Sequence, residues 1–390
     1  MRVGFLGNMN NNFFAIVRYM RDRGIDAELI LFDDEFSHFR PDADAFTLDY
    51  RHYTRAVDWG SRPSFDRTPA SVIKSDLAPY DRLFGTGLAP AFVEKSGRRL
   101  DVFKVYGYDV RVEPRYHLLN RHPIRYNRVS RHQRQGIVNS RFVCMARQNP
   151  TYESHASTFL RNVPRLFRPI PLVYAPEYSA VQLAKYRDRL HLGWFLDQLR
   201  QSCGFLAISH SRQSWTMSRS DVSNKGSDRV ITAWSRFVHE NASLNPKLVL
   251  FEYGRDVLAS KRLISELAID DSVEWLPPSA RKEIMYGLHL SDVSLGPSSD
   301  LSWNTGGTHF ETLVSKTPMI CHRNDALHVD DDLPLYPVLN ARTSDEIHHQ
   351  LIRLSANPEM GKSYGEQGCV WYQEHVVKPK IDEYLQCLST

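Results

Sequence analysis

Residues 290–320, LSDVSLGPSSDLSWNTGGTHFETLVSKTPMI, leave few choices of fold. Residues 292–295 form a short apolar run stopped by Gly296-Pro297, the pattern of a buried strand. A polar loop over 298–305 leads to Gly306-Gly307, which opens a helix with Thr308 in its first turn and Glu311 just inside. Lys316-Thr317-Pro318 ends that helix, and Met319-Ile320-Cys321 starts another strand. A strand–loop–helix–strand corner of this kind binds anions. Glycines let the backbone approach a phosphate, unpaired N–H groups of the helix start point at it, and the helix dipole adds about half a positive charge. Glu311 suits two neighbouring hydroxyls, such as those of a ribose. The same residues also suit an ordinary helix start with a solvated glutamate.

A length of 390 residues is too great for one core, and two domains of ordinary size are expected. Composition is that of a globular protein, 42% hydrophobic and 24% charged, with no apolar run of membrane-spanning length. The first residues, MRVGFLGN, read directly as a strand without a signal segment. Five cysteines form no CxxC pair, which fits a reducing cytoplasm and argues against structural zinc or a disulfide framework. The net charge of +4 is too mild to imply nucleic-acid binding.

In the first half, residues 2–6, 26–32, 80–85 and 100–106 read as strands. The first two enclose a helix over 13–23 in a βαβ unit. The intervening turn, GNMNNN, lacks the GxGxxG of a dinucleotide site. Asn8, Asn11 and Asn12 lie where such a sheet opens its crevice and suit a sugar-like ligand, although turns favour asparagine in any case. Residues 39–69 read as irregular with one short helix. Gly107-Tyr108-Asp109 closes the fourth of these strands, which makes Asp109 the candidate general base or acceptor ligand, with a helix cap as the alternative. Residues 111–147 hold nine arginines against one acid, Glu113, and suit an anionic acceptor, an acidic membrane surface or a solvated helix face. A strand is expected over 137–145, a helix over 152–160, and a proline-rich linker over 163–178.

The second half restarts with a strand over 204–209 and a loop carrying Arg212, Arg219 and Lys225, basic groups suited to a diphosphate. Strands over 247–251 and 273–276 alternate with helices over 258–267 and 280–288, before the corner described first. Helices follow over 344–356 and 361–388, the last broken by Pro379. Both halves therefore read as doubly wound parallel α/β sheets.

These residues resemble a glycosyltransferase of GT-B type, family four (group 1). Lys225-Gly226-x-Asp228 is similar to that family's K-G-x-D. KLVLFEYG, a spacer and Val273-x-Trp275 follow as in the family, and residues 306–320 resemble its G-x-x-x-x-E-A-x-A-x-G-x-P-V-I. The likeness is good over about 200–325 and weak over 1–180. It implies two Rossmann-like domains facing a cleft: 1–170 for the acceptor, 171–370 for a nucleotide sugar, and a helix over 371–390 crossing back. It further implies a UDP- or GDP-linked sugar donor, no cofactor and no metal. Lys225 with Arg212 or Arg219 would neutralise the diphosphate. Gly306, Gly307 and Thr308 would donate N–H bonds to it, and Glu311 would hold the ribose. Glu252, Gly254, Ser298 and Asp300 complete the expected donor site, and Tyr108 joins Asp109 and the three asparagines in the acceptor site. Where retaining members carry a glutamate eight residues before Glu311, this chain has Trp303, with Asp300 as a substitute. The Asp42-x-Asp44 and 330–332 acid runs read as solvated rather than as a metal site.

The expected function is transfer of a hexose to a saccharide, lipid-linked or small-molecule acceptor, as in polysaccharide biosynthesis. The expected setting is the cytoplasm, with a peripheral contact to the inner membrane face as an option. Two alternatives remain open. One is a sugar-nucleotide epimerase drawing on Asp109 and Glu252. The other is a non-catalytic nucleotide-sugar or glycan-binding protein.

Overall fold

The structure, a computed structural model, describes residues 1–116, 123–145, 160, 162–219, 221, 223–300, 306–328 and 333–389. Trp303, the 330–332 acids, several of the arginines and histidines of 111–147, and nearly all of the helix expected over 152–160 lie outside them. The chain divides into two compact units, Met1–Tyr174 with Val376–Thr390, and Ala175–His375.

The first unit is built on seven strands: β1 (Arg2–Leu6), β2 (Asp26–Leu31), β3 (Thr54–Ala56), β4 (Arg82–Thr86), β5 (Val102–Lys104), β6 (Phe142–Cys144) and β7 (Arg165–Leu166), in the order β3-β2-β1-β4-β5-β6-β7. The second has six: β8 (Leu206–Ser209), β9 (Lys247–Phe251), β10 (Val273–Leu276), β11 (Val293–Leu295), β12 (Met319–Cys321) and β13 (Leu339–Asn340), in the order β10-β9-β8-β11-β12-β13. Every pairing is parallel, with Phe5 opposite Leu29 and Phe84, and Ile208 opposite Val249 and Ser294. Parallel strands are covered on both faces, so they appear as unbroken apolar runs such as KLVLF. Each unit has its own core. Trp59, Phe65, Phe92 and Phe103 anchor one, and Trp234, Phe237, Leu248 and Ile320 the other.

Three strands differ from expectation, and one of them, β13, is a short addition at the edge of the second sheet, paired to β12. The 39–69 stretch contributes β3, a short edge strand of polar sequence paired to β2. The proline-rich stretch contributes β7, where Val143 N–H donates to the Pro164 carbonyl at 2.9 Å. Proline lacks a donor but keeps its carbonyl, so it is tolerated at a sheet edge. Of the acid pair expected to be solvated, Asp42 is exposed and Asp44 is not. Asp44 is fully buried and takes a 2.7 Å bond from Arg18, itself buried on the helix Asn12–Asp22. The last helical run changes winding in the π-helical turn Tyr372–Val377 before continuing as Lys378–Ser389. That final helix packs in the first unit, with the Tyr384 ring 4.9 Å from Phe84 and Lys380 Nζ 3.4 Å from Cys144 Sγ.

In each sheet the strand order reverses beside the first strand, between β1 and β4 and between β8 and β11. Loops leaving the carboxyl ends of such strands diverge and open a crevice.

Candidate functional site

In the second unit the loop after β8 begins with His210, and the loop after β11 carries Ser298. Lys225-Gly226 joins the two. Ser298 N–H donates to the Lys225 carbonyl at 3.0 Å, and Lys225 N–H to the Ser214 carbonyl at 2.6 Å. Gly226 has φ +65°, and a Cβ there would lie 2.8 Å from the Ser298 carbonyl oxygen, so this close approach requires glycine. Gly254, after β9, meets the backbone of Gln213 in the same way, at φ +117°.

Four buried polar groups on these loops and on the helix Gly307–Val314 lack hydrogen-bond partners among the described residues: His210 Nδ1, Ser211 Oγ, Ser298 Oγ and His309 Nε2. Buried polar groups are nearly always paired, so such a gathering singles out this corner as the candidate site. Two cations add to it. Burial and the neighbouring Arg212 guanidinium push the Lys225 ammonium below its ordinary value. Neither side chain makes an ion pair among the described residues. The helix Gly307–Val314 opens beside them, and a Cβ on Gly307 would meet nothing within 4 Å.

Glu311 is not a solvated helix residue. Its Oε1 takes a 2.8 Å bond from Arg281 Nε, and its Oε2 lies 3.2 Å from His210 Nε2, with the carboxylate side chain 11% exposed. Burial alone would raise its pKa, but Arg281 and His210 overcome this and hold it at about 2. A carboxylate has roughly four acceptor positions, so this one keeps capacity for a hydroxyl donor.

Other expected donor residues are placed differently. Arg219 forms a two-pronged pair with Asp228, at 3.0 and 2.5 Å, so its charge is already answered. Asp300 accepts from Arg229 at 2.9 Å, a bond that holds its carboxyl below the ordinary range. Glu252 is exposed and paired with Lys261. Thr308 is partly buried in the first helical turn.

In the first unit the asparagine turn folds in on itself. Asn8 is fully buried. Its amide donates to Asn11 Oδ1 and the Phe39 carbonyl, and its side-chain oxygen caps Phe14 N–H at 2.9 Å. Asn11 donates to the His38 carbonyl. Asn12 is fully buried, and neither amide atom has a partner among the described residues. Asp109 turns back on its own loop, accepting from Tyr106 N–H at 3.1 Å and Gly107 N–H at 2.8 Å. Burial outweighs these bonds and raises its carboxyl to about 6. Tyr108 beside it is 59% exposed. The basic helix Pro123–Asn139 is partly neutralised, because Arg125 and Arg128 both reach Asp66.

Sequence reasoning missed Glu35, whose Oε1 accepts from Asn8 N–H at 2.6 Å. Burial pushes its carboxyl up to about 7. A carboxyl whose folded pKa is raised contributes stability that is full below its unfolded pKa of about 4.5 and is lost as pH rises through about 7. Glu35→Gln keeps the acceptor for Asn8. It is therefore expected to be more stable than the parent at pH 8, with the difference closing by pH 5 in urea titrations. An equal difference at both pH values would show that Glu35 is ionised throughout. His210, Arg281 and His309 were also missed. His210 carried a legible signal, since it directly follows a buried strand at the crevice end.

No protein-family model matches the sequence, and no curated protein matches it either. Solved structures do match in shape. Anabaena HepE in complex with UDP and glucose is 14% identical over 100% of this chain and 99% of that one, with a TM-score of 0.59. WaaG, a glycosyltransferase involved in lipopolysaccharide biosynthesis, is 15% identical over 95% of each chain, with a TM-score of 0.52. UDP-GlcNAc 2-epimerase from Neisseria meningitidis, bound to UDP-GlcNAc, is 11% identical over 99% of this chain and 100% of that one, with a TM-score of 0.56. Together with the two all-parallel sheets, this likeness establishes that the chain has the GT-B fold.

Proposed function

We propose that the protein is a nucleotide-sugar-dependent glycosyltransferase that moves a hexose from a UDP- or GDP-linked donor to a saccharide, lipid-linked or small-molecule acceptor without a metal. The observation that carries the reading is the unpaired positive charge of Lys225 and Arg212 beside buried, unpartnered donors at the β8/β11 switch point. A partly buried ammonium without a counter-ion carries a desolvation cost, and a bound diphosphate would supply the counter-charge.

In this reading Lys225 and Arg212 offset the charge that grows on the diphosphate as the sugar–phosphate bond breaks. The N–H groups of Gly307 and Thr308 add fixed dipoles at the same place, while the Gly306 N–H is taken by His309 Nδ1. Arg219 steadies the loop through Asp228 instead of meeting phosphate. Glu311, fixed by Arg281 and His210, offers its remaining acceptor capacity to ribose hydroxyls. Serine and backbone groups near Ser298, Asp300, Glu252 and Gly254 line the base and sugar end. Asn12, Tyr108, Asp109 and Glu35 of the first unit are the acceptor-side candidates, with Asn8 and Asn11 shaping the turn. Structural neighbours with UDP, UDP and glucose, or a UDP-sugar bound support the donor class. No described helix is long and apolar enough to cross a membrane. We place the protein in the cytoplasm, where exposed Ile124 and Arg131 on the basic helix suit a peripheral contact with an anionic surface.

An epimerase is the second reading, favoured by the raised carboxyls of Asp109 and Glu35, since reprotonating a sugar carbon needs an acid near neutrality. Incubation of the purified protein with the bound nucleotide sugar alone separates the two. A transferase leaves the donor intact or hydrolyses it slowly, whereas a new sugar nucleotide would establish the epimerase.

A further inference from the structure

His309 stands three residues after Gly306, at the third position of the helix Gly307–Val314. It is 4% exposed. Its Nδ1 accepts the Gly306 N–H at 3.2 Å, the half of a capping box in which a side chain returns to the helix start. An imidazole nitrogen that accepts carries no proton. In the neutral ring the proton must then sit on Nε2, so the tautomer follows from the hydrogen bond. The ring is neutral at ordinary pH, because burial, followed by Lys225, His210 and His328, pushes it down to about 3. Nε2–H is therefore a committed donor, and it is buried without a partner among the described residues. Lys225 is the strongest charge acting on the ring. A donor held in place from behind, next to an unpaired ammonium and an open helix start, has the chemistry of an anion contact.

We propose that His309 donates its Nε2–H to the diphosphate of the bound nucleotide, as a neutral contact added to the charge of Lys225. This rests on the nucleotide-sugar reading of the site, which itself gave His309 no role. A neutral donor gives direction without increasing the repulsion among Lys225, Arg212 and Arg281.

The test uses calorimetric titration of the full-length protein with UDP and GDP, and with uridine and guanosine as phosphate-free probes. His309→Leu removes both nitrogens and is expected to weaken the diphosphate about 10- to 100-fold, the worth of one bond to a charged group. Affinity for the matching nucleoside is expected to be unchanged. His309→Gln places an amide N–H near the Nε2 position and is expected to stay within about threefold of the parent. His309→Asn can still accept from Gly306 N–H but cannot reach the phosphate. It is expected to bind as weakly as the leucine variant while melting close to the parent. Equal diphosphate affinity in the parent and in His309→Leu or His309→Asn would overturn the assignment of His309 alone. Failure of the parent to bind either diphosphate would overturn the nucleotide reading on which it rests.

Discussion

Lys225→Ala is expected to weaken nucleoside diphosphate binding by about 2–5 kcal/mol, the range for removing one member of a buried charged pair. The melting temperature of the free protein should stay unchanged or rise. These two outcomes belong together. The ammonium is partly buried, its pKa is lowered by burial and by Arg212, and no carboxylate answers it among the described residues. Alanine therefore loses no ion pair or side-chain hydrogen bond among the described residues and removes a desolvation cost. A structural lysine would show the reverse, a fall in stability with ligand affinity intact. Turnover is expected to fall with affinity, because the charge that Lys225 offsets is greatest when the leaving group departs.

Glu311→Ala is expected to destabilise the second unit by about 3–5 kcal/mol, the usual cost of leaving a buried charge without its partner. The carboxylate sits between Arg281 Nε at 2.8 Å and His210 Nε2 at 3.2 Å. Its removal leaves the Arg281 guanidinium, 9% exposed, without this counter-charge. The double variant Glu311→Ala/Arg281→Ala should cost less than the sum of the two single changes, since the two groups share one ion pair. Additive costs would mean that the two groups do not depend on each other. The pH dependence has a definite sign. A carboxyl held at about 2 when folded, against about 4.5 when unfolded, contributes stability that is full above about 4.5 and is lost as pH falls through about 2. Glu311→Gln removes that acid limb. A solvated glutamate on a helix surface would change stability by less than about 0.5 kcal/mol on substitution. Because Glu311→Ala lowers stability, loss of donor binding in that variant is not by itself proof of a ribose contact. Glu311→Gln, which keeps the shape and one acceptor oxygen, is the cleaner probe.

The alternation of buried strand and helix was legible because parallel strands covered on both faces must be apolar throughout. KLVLF and VEWL are strands over the same residues read from sequence, and the helix Ser344–Ala356 likewise. The three missed strands, β3, β7 and β13, lie at sheet edges, where the demand for apolar side chains is weakest. β3 is TRA, and β7 is RL among prolines. The glycine corner was legible because its devices are local: a glycine pair, a helix start, and a lysine before a glycine. The buried triad was not, since residues 210, 281 and 311 are joined only by the fold. Charge alone misled at Arg219, whose partner Asp228 stands nine residues on, and nothing in the sequence shows that the two-pronged pair forms. The asparagine turn shows the same limit. Its residue types suit a sugar, yet Asn8 and Asn11 spend their amides on the turn, and only Asn12 keeps both atoms unpartnered among the described residues.

The central claim is that the unpaired cations and buried donors at the β8/β11 switch point hold a nucleotide diphosphate. Calorimetric titration of the parent and Lys225→Ala with UDP, GDP, ADP and their common sugar conjugates, without metal, tests it most directly. The account predicts micromolar binding of one diphosphate series by the parent, weakened in a variant that melts no lower. Absence of binding by the parent to every nucleotide, or equal affinity in the two proteins, would contradict it.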